Sequence, residues 1–191
     1  MASSFWKDDP SLQRLLARWL PSDQWKWGEP LLQRAGILAA TTVDQLAAIA
    51  DHQGPRLHTH DAHGERIDVV EFHPAYRELE KIAYQDLGLV GMIYGNPPRG
   101  MTPPPGGRAP RLLAMSASYL FSQSECGLFC PVCMTDGVAR VLEQHGSEAM
   151  IDDYVPRIAA TDIEKLWTGA MFLTEKQGGS DVGANNCEAR S

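Results

Sequence analysis

The chain has 191 residues, 43% of them apolar and 21% charged, with a net charge of −7 at neutral pH. That length fits one domain, or one and part of a second, and buries about 70% of the unfolded surface. It excludes disorder as the main state, which needs few apolar residues and a high net charge, and the acidic balance makes nucleic acid a poor partner for this segment. No window approaches the roughly 18 consecutive apolar residues of a membrane span. The opening Met-Ala-Ser-Ser-Phe-Trp-Lys-Asp-Asp-Pro lacks the apolar core of a secretory signal. Four cysteines do not make a disulfide scaffold. A reduced, cytoplasmic protein is the expectation.

Most of the chain reads as helix, with six or seven segments. Ser11 is placed to cap a first helix whose stripe is Leu12, Leu15, Leu16, Trp19 and Leu20, stopped by Pro21. A second covers Gln24 to Leu38, with a break expected near Gly28 and Pro30. A third runs from Val43 to His52, capped by Thr42 and ended near Gly54. Pro55 to Glu65 is polar and histidine-rich and reads as a loop, and Arg66 to Phe72 as a short extended piece. Pro74 suits the first turn of a helix with Tyr76, Leu79, Ile82 and Ala83 on its apolar face.

Asn96 to Pro110 holds six prolines and three glycines, so it reads as a surface loop with the composition of a mobile one. Arg111 to Ser124 follows as a helix with Leu112, Met115, Tyr119 and Ser116 on one side. Pro131 to Gln144 is another, with Val132, Val138, Val141 and Leu142, ended by Gly146. Ser147 to Ile158 is shorter, broken at its end by Pro156. Leu166 to Thr174 loses the helical spacing and reads as a strand running into a Gly-rich turn. A strand with no neighbour is not stable, so the organisation expected is a helical domain over 1–160 and the opening of a β-domain over 161–191.

The sharpest segment is Leu173-Thr174-Glu175-Lys176-Gln177-Gly178-Gly179-Ser180-Asp181. Adjacent glycines let backbone N–H groups approach a ligand, and successive N–H groups in such a turn form an anion-binding nest. Ser180 adds a side-chain donor for a phosphate, and Thr174 a bond to a ring edge. The plainer reading is a strand-to-loop turn braced by Asp181, and composition alone favours it. Cys126, Cys130 and Cys133 have the spacing C-x3-C-x2-C, which a zinc or iron–sulfur site would use, but Cys187 is distant and packing at a helix start is the simpler account. His58, His60, Asp61 and His63 are metal-ligand types in a polar loop where histidines ordinarily face water. The five tryptophans (6, 19, 25, 27 and 167) suit a core or subunit contact better than a free partner surface.

Leu-Thr-Glu-x-x-Gly-Gly-Ser-Asp-x-x-Ala, from Leu173 to Ala184, resembles the first signature of the acyl-CoA dehydrogenase family. The wording Thr174 to Val182 resembles its branch containing the adaptive-response protein AidB. Glu71-Phe72-His73-Pro74-Ala75-Tyr76 and Cys130-Pro131-Val132-Cys133-Met134-Thr135 agree in the same order. Phe172 departs from the small residue the family usually has there. The resemblance covers about residue 29 to the end.

It implies a mainly α fold: the helical amino-terminal domain of an acyl-CoA dehydrogenase, followed by the first strand and turn of the central β-domain. FAD would lie between that β-domain and a carboxy-terminal helical bundle. The backbone of Met171, Phe172 and Leu173 would lie along the flavin edge, Thr174 would bond to the ring, and Gly179 and Ser180 would serve the pyrophosphate. The implied reaction is α,β-dehydrogenation of an acyl-CoA thioester by a homo-tetramer. The general base would come from the carboxy-terminal domain, so no catalytic residue or metal ligand is assigned in this chain. Two other readings are a flavin-carrying protein that binds and protects DNA, as the AidB branch suggests, and a non-catalytic helical interaction module.

Overall fold

The computed structural model describes residues 3–176, 178–188 and 190. Helix α1 (Pro10–Trp19) opens on Asp9, whose Oδ1 accepts the Leu12 N–H at 2.8 Å. The cap is thus Asp9 rather than Ser11, because Pro10 at the first helical position fixes the start one residue earlier. Asp9 also accepts the Tyr119 hydroxyl at 3.2 Å, tying α1 to α5 (Arg111–Ser122). Asp9→Ala is expected to cost about 1–2 kcal/mol, read as a lower urea midpoint at unchanged slope. An unchanged midpoint would remove this cap from the account.

Helix α2 (Ser22–Leu38) is continuous, where the sequence suggested a break. Pro30 lies on the exposed side, so the carbonyl of exposed Lys26, which loses its helical partner, is left to water. Gly28 is buried for a different reason. A Cβ there would come within 2.5 Å of Leu113 Cδ2, so the glycine sets how closely α2 and α5 approach. Helix α3 (Asp44–His52) continues α2 through a wide π turn at Ala39–Val43, so Thr42 lies inside the helix and caps nothing.

The expected loop after Pro55 is instead a strand. β1 (Arg56–His60) pairs antiparallel with β2 (Arg66–Glu71), with Leu57 opposite Val70 and His58 opposite Val69. Asp61 closes the hairpin, its Oδ1 accepting the N–H groups of His63 and Glu65. Both faces of the ribbon are exposed, so no alternation of apolar and polar residues marks β1 in the sequence. Helix α4 (Pro74–Glu80) begins as expected at Pro74, with the His73 ring as its cap, and runs on through a π turn at Lys81–Asp86.

The proline-rich stretch 96–110 is irregular, as its composition requires, and it is strapped down. Trp27 Nε1 donates to the Thr102 carbonyl at 2.9 Å, Arg34 to the Arg99 carbonyl at 3.0 Å, and the Gln24 amide to the Pro105 carbonyl. Pro98, Pro104 and Ala109 are buried. Then come α5 (Arg111–Ser122), α6 (Phe129–His145) and α7 (Glu148–Ile158, capped by Ser147). Pro156 sits within α7, which continues to Ile158.

On α5 the buried side is Leu113, Ala114, Ser116, Ala117, Leu120 and Phe121. Leu112, Met115 and Tyr119 are exposed, the reverse of the sequence reading, and of that set Ser116 alone is buried. Nearly every α5 position is apolar or small, so the pattern alone could not choose between two faces. Leu16, Leu31, Leu32, Leu79, Leu113, Leu120 and Phe121 form the centre of one helical core.

Tyr84 sits in that core, its hydroxyl 3.3 Å from Thr135 Oγ1. Burial pushes its phenol up to about 12. A folded-state value above the unfolded value of about 10 means that the native chain holds its proton longer. Stability is therefore expected to fall as pH rises from about 10 to 12. Tyr84→Phe should flatten part of that alkaline decline; an identical alkaline limb in the variant would contradict this role.

Candidate functional site

No strand forms at Leu166–Thr174. With no neighbouring strand to pair with, the backbone takes partners from the helices instead. Trp167 N donates to the Arg157 carbonyl of α7 at 3.1 Å, and Gly169 N donates to Thr135 Oγ1 of α6 at 3.0 Å. The Arg157 guanidinium lies 4.6 Å above the Trp167 ring. A Cβ on Gly169 would come within 2.7 Å of the Met134 carbonyl, so only glycine lets the segment lie this close to α6.

Thr135 is the junction. Its side chain is fully buried, donates to the Pro131 carbonyl at 2.7 Å, accepts from Gly169 and contacts Tyr84. It belongs to the Cys-Pro-Val-Cys-Met-Thr run singled out in the sequence, but its part as an anchor could not be read there. The contact spans 34 residues. Beyond Gly169, Ala170 and Met171 line an apolar groove of about 360 Å³ with Met134, Gly137, Val138, Val141 and Leu142.

The predicted site residues stand next along the chain. Met171, Phe172 and Leu173 are exposed, Phe172 at 96%, as are Thr174, Gly179 and Ser180. Thr174 and Gly179 are brought together: a Cβ on Gly179 would fall 2.8 Å from Thr174 Oγ1. Gly178 N donates to the Glu175 carbonyl at 3.1 Å, closing the turn, and Gly178 has φ +155°. Gln177 of the motif lies outside the described residues.

Two further residues fasten the loop to itself: Glu175, which the signature includes but to which the sequence assigned no such role, and Asn185. The Glu175 carboxylate accepts the N–H groups of Asn186 and Cys187 at 2.8 and 2.9 Å. Asn185 Nδ2 donates to the Leu173 carbonyl at 2.7 Å, while its buried Oδ1 has no partner. The expected brace, Asp181, instead precedes a short 3-10 turn at Val182–Ala184 without a capping bond.

The other clusters are used locally. His58 pairs with Glu71 at 2.7 Å, Asp61 holds the hairpin turn, and His52 bonds to the Ala48 carbonyl. Cys126, Cys130, Cys133 and Cys187 are all exposed free thiols. Among the described residues no group of three or more His, Cys, Asp or Glu is placed to hold a metal ion. Trp6 is buried against Trp25, and Trp27 bonds into the proline-rich stretch, whereas Trp19 is exposed. No helix among the described residues is long and apolar enough to cross a membrane.

The family model for the adaptive response protein AidB N-terminal domain matches residues 1–165. The chain belongs to this family. It is 31% identical over 186 residues to acyl-CoA dehydrogenase family member 11 of Caenorhabditis elegans, covering 96% of this chain and 29% of that protein. It is 28% identical over 173 residues to the putative acyl-CoA dehydrogenase AidB of Escherichia coli K12, covering 85% of this chain and 30% of that one.

Solved structures agree with the helical fold. Bd2924 in its apo form superimposes with a TM-score of 0.83 at 31% identity, over 96% of this chain and 35% of its own. The Caenorhabditis elegans ACDH-11 in complex with C11-CoA gives 0.80 at 29% identity, over 98% and 31%. The fold is thus mainly helical and matches acyl-CoA dehydrogenase amino-terminal domains. This AidB-family chain spans about a third of the length of the relatives it matches.

Proposed function

We propose that the chain is the amino-terminal part of an FAD-dependent oxidoreductase that acts on the CH–CH bond of acyl-CoA thioesters, and that residues from 161 onward begin its second domain. The observation that carries the reading is the loop from Leu173 to Cys187. It is bonded to itself, while the segment just before it is anchored on α6 at Gly169; the loop leaves an apolar run and a hydroxyl exposed side by side.

These residues fit a flavin. Gly179 lacks the Cβ that would fill the space beside Thr174, and Asn185 Oδ1 is a buried acceptor lacking a donor. The backbone of Met171, Phe172 and Leu173 would border the ring, the Thr174 hydroxyl would bond to its edge, and Gly179 with Ser180 would receive the pyrophosphate. When bound, the flavin supplies the redox chemistry, taking up hydride from the acyl chain. The chain's own residues position the ring and keep one side of it apolar. In this reading the base belongs to a further domain, the assembled protein is a cytoplasmic homo-tetramer, and its substrate is an acyl-CoA. The ACDH-11 structure with C11-CoA supports that substrate class.

The test is FAD titration of the protein carrying this segment, followed by flavin fluorescence quenching. Thr174→Ala with Ser180→Ala is expected to weaken FAD about five- to thirtyfold, the loss of one or two hydrogen bonds at roughly 1 kcal/mol each. Unchanged affinity in the double variant would overturn the site assignment.

A further inference from the structure

Three of the four cysteines fall within eight residues, at 126, 130 and 133. Cys126 lies in the turn before α6, and Cys130 and Cys133 lie in the first two turns of that 17-residue helix. Between them Val132 is buried against the core together with Leu128, while all three cysteines are exposed. The helix turns Val132 inward and leaves the cysteines accessible, with Cys133 at the edge of a small apolar cavity that Phe129 and Val132 also line. Residues three apart on a helix share a face, and helical rise and radius put their Cα atoms about 5 Å apart. A disulfide requires about 4.4–6.8 Å between Cα atoms, and the Cβ atoms must close from about 5–6 Å to about 3.5–4.5 Å, so the bond tightens the first turns of α6.

The two sulfurs are unequal. Cys130 stands in the first helical turn, at the open end of α6. Cys133 stands one turn on, and its thiol is pushed up by desolvation and then by the neighbouring Cys130. An exposed nucleophile followed three residues later by a partner that keeps its proton is the division of labour of a Cys-x-x-Cys dithiol.

We propose that Cys130 and Cys133 form a reversible dithiol–disulfide pair whose oxidant is a low-molecular-weight disulfide of the glutathione class. The Cys130 thiolate attacks one sulfur of oxidised glutathione; the S–S bond breaks, and a glutathione thiolate leaves. Cys133 then loses its proton to solvent and attacks the Cys130 sulfur, forming the internal bond and expelling the second glutathione thiolate. The protein dithiol gives up two electrons and two protons, and the glutathione disulfide ends as two thiols. The bond closes on the helix directly before Met134 and Thr135, the residues that hold Gly169 and the segment behind it.

The experiment treats the reduced full chain with oxidised glutathione, blocks remaining thiols and maps the peptides without reduction. The expected product is an internal Cys130–Cys133 link, with Cys126 and Cys187 still free. Cys133→Ser should stop at glutathione on Cys130, and Cys130→Ser should take up glutathione at Cys133 about tenfold more slowly or worse. Cys126→Ser should behave as the parent. Far-ultraviolet dichroism establishes that each variant is folded. A stable glutathione adduct on the parent, a link that uses Cys126 or Cys187, or four free thiols after treatment would each overturn the proposal.

Discussion

Leu113→Ala is expected to lower the unfolding free energy by about 2–5 kcal/mol, the range for emptying a fully buried leucine site. Leu113 is 0% exposed and sits against Gly28, where α2 and α5 approach most closely. The glycine has no side chain to move into the space, so the cavity persists. Leu112, its neighbour in sequence, is 37% exposed on the other side of α5. Leu112→Ala should cost under about 1 kcal/mol by comparison. Urea unfolding of both variants measures the contrast. Equal losses would mean that the buried side of α5 has been assigned wrongly.

Thr135→Val is the second large effect, and it reaches the proposed site. Valine keeps the shape and removes the hydroxyl that accepts from Gly169, donates to the Pro131 carbonyl and contacts Tyr84. Leaving such groups without partners costs about 1–3 kcal/mol. Local opening should be more sensitive than global stability. Hydrogen exchange at the Gly169 amide is expected to speed up about tenfold or more, because that N–H loses its acceptor. Unchanged protection at Gly169 would show that Thr135 does not hold the segment.

Helices were legible where apolar spacing and caps agreed. Pro74 opened α4 as its type demands, and Gly146 ended α6. The face of α5 was not legible, because small and apolar residues surround the whole helix and its packing against other elements, Gly28 of α2 among them, decides which side is covered. Strand β1 was hidden for the opposite reason. A ribbon exposed on both sides has no buried side to impose a period of two.

The signature from Leu173 to Ala184 was readable from its wording, whereas the family assignment rests on residues 1–165, which precede that motif. How the segment is held was not readable. Thr135, Gly169 and Asn185 act through contacts between residues far apart in sequence, and a hydroxyl or an amide carries no local sign of such a role. The strand expectation at Leu166–Thr174 followed apolar composition correctly, but strand geometry needs a neighbour, and within the described residues the backbone bonds to α6 and α7 instead.

The most direct measurement is the flavin content of the native protein that carries this segment, purified from its source cells and read by absorbance and by mass spectrometry of the released cofactor. FAD is expected in near-stoichiometric amount, lost on dilution far sooner in the Thr174→Ala, Ser180→Ala variant than in the parent. A native protein that is flavin-free and does not take up added FAD would contradict that expectation.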